Sequence, residues 1–122
     1  MFKIFGSMVL TGLVFSLSAT PSFAAGCDVN IEATASMAFT LKEIAVAKTC
    51  KEITLNFKNT GTMKKDMMGH NVVITKASDM QAVVTDGMAA GLASNYVKPN
   101  DARVIGHTVV IGGGESTSTK IK

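Results

Sequence analysis

Val29 and Ile31 alternate with Asn30 and Glu32, and further along Ile53, Leu55 and Phe57 alternate with Thr54, Asn56 and Lys58. A period of two sends successive side chains to opposite faces, so each set turns one face inward and one toward water, as sandwich strands do. Phe39 to Val46 is a weaker strand region, Val104 to Ile111 has β-type composition, and Thr117, Thr119 and Ile121 begin another strand. Val72-Val73-Ile74 is a continuous apolar run, the pattern of a strand covered on both faces. Asn59-Thr60-Gly61, Pro99-Asn100-Asp101 and Gly112-Gly113-Gly114 break these segments. The triple glycine has neither the following Lys-Ser/Thr nor the strand-to-helix setting of a phosphate loop, and reads as a plain turn. The one helical stretch begins at Ser78, with Gln81 completing a capping box and Met80, Val83 and Val84 on one face. Gly87 and Gly91 limit it. The expected fold is all-β, with one short helix.

Residues 1 to 24 read as an address. Lys3 is a minimal positive n-region, Ile4 to Leu17 an apolar h-region, and Ser22 and Ala24 suit cleavage before Ala25. The apolar stretch is shorter than the roughly 20 residues of a membrane-spanning helix, so a secretory signal peptide is expected rather than an anchor. A single domain, Ala25 to Lys122, would remain. Cleavage takes Lys3 from the twelve basic residues and leaves eleven against nine acidic ones. That near balance, with no long basic run and only Phe39, Phe57 and Tyr96 as aromatics, speaks against nucleic-acid binding. It also implies a thin core, and small domains with thin cores benefit from a covalent staple. Cys27 and Cys50, the only cysteines, favour a disulfide in an exported chain. A zinc or copper pair is the rival, although neither has a Cys-x-x-Cys partner or a nearby histidine.

Met68-Gly69-His70-Asn71 follows a loop and offers half of a metal site, since a borderline-soft ion wants imidazole and thiolate together. With the early Cys27 and Cys50, Phe39, the stretch from Ala77-Ser78-Asp79-Met80-Gln81 to Gly87-Met88-Ala89, and Lys98-Pro99-Asn100-Asp101-Ala102-Arg103-Val104-Ile105, these residues give long collinear matches. On them the chain, from Gly26 to about Ile121, resembles the azurin family of blue copper proteins within the cupredoxins. The resemblance implies a Greek-key β-sandwich or barrel with a helical flap. It implies one type 1 copper ion, with His70 as first ligand, the Gly69 carbonyl as weak axial ligand, and Asn71 tying the ligand loops together. It assigns Cys27 and Cys50 to a disulfide at the far end of the barrel and puts His107, the only other histidine, outside the copper site. The family's remaining ligands, a cysteine, a histidine and a methionine, belong to a C-terminal loop, and the sequence given ends before it. The expectation is therefore a C-terminally incomplete domain with C-terminal strands missing.

Met37, Met63, Met67, Met68 and Met88 lie on three segments, and thioethers serve as adaptable filling for a core short of aromatics. The resemblance gives them a second role, an exposed apolar patch where redox partners dock. Adjacent Met67 and Met68 cannot both point inward on a strand, so at least one is expected at the surface. The resemblance implies a monomeric periplasmic electron carrier, not an enzyme, exchanging single electrons with partners such as c-type cytochromes or periplasmic reductases. No membrane anchor remains after cleavage. The alternatives are a copper-free cupredoxin-like interaction module or defective remnant, and an exported metal-storage or chaperone protein. The last is disfavoured because the methionines form no Met-x-x-Met repeat along one segment.

Overall fold

The computed structural model describes residues 26–122, so the expected signal peptide lies outside the described residues. The first alternating segment is strand β1, Asp28–Ala33, and the second is β2, Ile53–Asn59. They run parallel, with Val29 opposite Leu55 and Ile31 opposite Phe57. β5, Ser116–Ile121, pairs antiparallel on the other side of β2, giving the order β1-β2-β5. A second sheet pairs β3, Val73–Thr75, antiparallel with β4, Val104–His107, with a register shift between Ile74 and Thr75.

The inward faces expected from the alternation make the core. Val29, Ile31, Ala33, Leu55, Phe57, Val72, Ile111 and Ile121 form one buried cluster, with Ile53 and Ile74 packed against it. Phe57 meets Phe39 edge to face at 6.2 Å. The all-β, cupredoxin-like sandwich with one flap helix is the architecture found. Among the described residues no helix is long and apolar enough to cross a membrane.

Cys27 and Cys50 are joined by a disulfide, which removes the metal-pair reading. It closes a loop of 23 residues, worth about 3 kcal/mol on the chain-entropy model. The bridge sits just ahead of β1 and β2. At roughly 3.3 Å per residue, the six steps from Ile53 to Asn59 carry the chain about 20 Å away from it, to the opposite end of the sheet.

Several local expectations need correction. Phe39 to Val46 forms no strand beyond an isolated bridge between Ala33 and Phe39. β3 is half-buried rather than covered on both faces, and only Val72 of that apolar run is buried. The capping box is absent: Ala77–Asp79 is a 3₁₀ turn, and the Asp79 N–H donates to Lys76 O. Ser78 is thus already inside a turn, and helix α2, Met80–Ala90, starts after it without a side-chain cap. (Helix α1 is the single turn Lys65–Met68.) Gly87 does not interrupt α2. A Cβ there would collide with Tyr96 O, so the glycine lets the helix lie against the 96–97 segment, and the stop is Gly91 at φ +79°. Of the expected apolar face only Val83 is buried, whereas Met80 and Val84 are exposed.

Candidate metal centre

The segment holding His70 begins at the end of β2. Asn59-Thr60-Gly61 turns the chain away, and α1 delivers it to Gly69. A Cβ at Gly69 would collide with Lys65 O and come within 2.6 Å of Val110 Cγ1. Only a glycine lets the backbone pass between these groups, which fixes where its carbonyl sits. His70 then bridges to Ile111: His70 N–H donates to Ile111 O at 3.1 Å, and Ile111 N–H donates to His70 O at 2.9 Å. Next, Val72 N–H donates to Thr108 Oγ1 at 2.9 Å, and Thr108 N–H returns a bond to Val72 O. The histidine backbone is therefore tied directly into the 108–111 segment that follows β4, which ends at His107 rather than running on to Ile111.

Its side chain is not tied. His70 Nε2 is buried and has no hydrogen-bond partner among the described residues. Buried polar atoms are nearly always paired, and leaving one unmade costs about 1–3 kcal/mol, so an orphan ring nitrogen calls for a partner. Asn71 Nδ2 donates to Asn95 O at 2.7 Å, tying the histidine segment to the turn that follows α2. Asn95 and Tyr96 both have left-handed backbones, at φ 55° and 54°. Gly69 and Asn71 line one apolar cavity of about 510 Å³ with Met37, Met80, Met88 and Tyr96.

Of the five candidate docking methionines, Met37, Met67 and Met88 are 73%, 72% and 67% exposed, Met63 is half out, and Met68 is partly buried. The surface expectation for the 67–68 pair holds for a different reason, because the two lie on the turn of helix α1 and not on a strand. Met37 and Met88 meet at the cavity beside Gly69, and Met63 and Met67 are outside its lining. Met80, placed by the sequence on one helical face with Val83 and Val84, belongs with the exposed set. His107 is half-buried on β4, its Nδ1 3.1 Å from Thr108 O. Among the described residues no three His, Cys, Asp or Glu side chains gather into a metal-binding group.

Sequence reasoning passed over Asn59. It continues the inward parity of Leu55 and Phe57, so a polar residue at that step was the available signal, and it is 1% exposed. Its Nδ2 donates to Ile111 O at 3.1 Å and to Met68 O at 3.4 Å, while Gly61 N–H donates to its Oδ1 at 2.9 Å. Asn95, whose Oδ1 accepts from Val110 N–H at 2.9 Å, gave no sequence signal. A third overlooked group pins the flap. Arg103 donates to both oxygens of Asp101, at 2.8 and 2.6 Å, and to Asp86 of α2 at 2.7 Å. Those bonds hold the Asp101 carboxyl down to about 2 and lower Asp86 as well.

The site thus brings together a glycine cradle, a histidine with an orphan ring nitrogen and a fringe of thioethers on a β-sandwich. The family model of copper-binding proteins of the plastocyanin/azurin family matches residues 25–122, and the chain belongs to that family. It is 61% identical over 92 residues to the azurin of Alcaligenes faecalis, a match covering 75% of this chain and 72% of that protein. Against the azurin of Bordetella pertussis it is 50% identical over 119 residues, 97% of this chain and 77% of the relative. Against that of Pseudomonas aeruginosa it is 49% identical over 105 residues, 86% and 71%. Copper is the metal of this family, and the donors present suit it in part. An imidazole and a backbone carbonyl fit a copper site, whereas both cysteine sulfurs are consumed at the far end of the sheet.

Proposed function

We propose that the chain is an azurin-type blue copper electron carrier of the periplasm, exported after removal of residues 1–24 and functioning as a monomeric domain from Ala25 onward. The observation that carries the reading is the buried, unpartnered Nε2 of His70, a residue whose backbone N–H and carbonyl are both bonded to Ile111. His70 and the Gly69 carbonyl would hold one side of the ion. A thiolate, a second imidazole and a thioether would have to complete the ligand set. The apolar 510 Å³ cavity beside Gly69 is in keeping with this.

Copper, when bound, supplies a one-electron couple between Cu(I) and Cu(II). The chain's part is to hold the imidazole in place, keep water from the ligand side, and present a surface through which an electron leaves. No bond in a substrate is made or broken, so the protein is not an enzyme. Met37, Met67 and Met88 would form the port, because a thioether-rich surface repacks against more than one partner. Such partners are redox proteins, c-type cytochromes or periplasmic reductases, and not nucleic acid.

Stopped-flow electron exchange between the copper-loaded full-length protein and a c-type cytochrome tests the port. Met88→Lys should slow exchange about tenfold, since a charge in an apolar contact must be desolvated, while leaving the copper spectrum unchanged. Unchanged exchange with an intact fold would remove the port from Met88.

A further inference from the structure

Two asparagines on different elements converge on the short bridge that carries His70. Asn59, at the end of β2, donates from Nδ2 to Ile111 O, the same oxygen that accepts His70 N–H, and to Met68 O, one residue ahead of Gly69. Asn95, after α2, accepts Val110 N–H on its Oδ1 and Asn71 Nδ2 on its carbonyl oxygen. The residues on both sides of the Gly69-His70 pair, and the residue beside its bridge partner, are thus held by Asn59 or Asn95. We infer that Asn59 and Asn95 are positioning residues that fix the Gly69–His70 segment in its ligand geometry before any metal arrives. This rests on the reading of His70 as a ligand, which the experiment below tests separately.

The two act through different atoms, and that makes the inference falsifiable. Asn59 uses both donor and acceptor. Its amide is almost wholly buried, so no water replaces what a shorter side chain drops. Asn95 uses its side chain only as an acceptor, and its backbone is left-handed at φ 55°, a conformation that Asn, Asp and Gly tolerate. Asn95→Asp therefore keeps the Val110 bond, and Asn95→Gly keeps the backbone but loses it.

Amide hydrogen exchange on the metal-free chain reads the clamp directly. Asn59→Ser and Asn95→Gly should each speed exchange at His70 and Ile111 by about tenfold or more, the effect of one lost buried hydrogen bond. The Thr54 amide, bonded to Cys27 O at the disulfide end, should change much less. Asn95→Asp should behave as the parent. Equal acceleration at Thr54 and His70 would mean ordinary loss of stability and overturn the positioning role; so would Asn95→Asp behaving as Asn95→Gly. If Asn59→Ser does not fold, the Asn95 pair decides alone. In a parallel arm, Cu(II) EPR of the full-length chain should change on His70→Ala. An unaltered signal would refute the ligand reading whatever the exchange data give.

Discussion

At Gly69 a single hydrogen in place of a methyl decides where a carbonyl can point. Gly69→Ala must push Lys65 O and Val110 away, and overpacking of this kind costs about 1–3 kcal/mol. Urea unfolding of the variant should show that loss with an unchanged slope, and full stability would mean the cradle is loose. His70 stood out in the sequence because imidazole chemistry is visible in a residue name, and Gly69 only through the family resemblance. Asn59 did not, because its role is defined by three partners up to 52 positions away. No local pattern distinguishes a buried amide from an exposed one, although its inward parity on β2 was a usable hint.

Helix α2 and the turn after it are attached to the sandwich by charge as much as by packing, since only Val83 and Gly87 of the helix are buried. Arg103, just ahead of β4, joins Asp86 on the helix to Asp101 in the turn. Asp101 is held at about 2, below the ordinary 3.8, first by the Arg103 side-chain bonds. A carboxylate depressed in the fold stabilises it fully above its ordinary value, and that contribution drains away as pH falls through the depressed one. Urea midpoints should therefore fall between about pH 4 and pH 2, and Asp101→Asn should be less stable than the parent at neutral pH and converge with it in acid. A constant gap between the two across that range would contradict the pairing. Alternation made β1, β2 and β5 legible, because each has one wet and one dry face. The start of α2 was misread because the chain satisfies its first amides through a 3₁₀ turn, which no capping signature announces. α1 was missed for its length, as one turn leaves no periodicity to detect.

Among the described residues the disulfide lies at one end of the sandwich and the His70 segment at the other, so a metal held at His70 would not compete with the staple for the same sulfur. On the proposed reading, Gly69 and His70 hold one half of a blue copper site, preformed on the 69–71 segment. The most direct test is a visible and EPR titration with Cu(II). Residues 25–122 alone should give only a weak, pale, tetragonal nitrogen and oxygen signal, because no thiolate is available to the metal. The same domain continued with a cysteine, histidine and methionine loop should give an intense blue band that His70→Ala strongly perturbs. An intense blue band from residues 25–122 alone, or one indifferent to His70→Ala in the extended chain, would contradict the account.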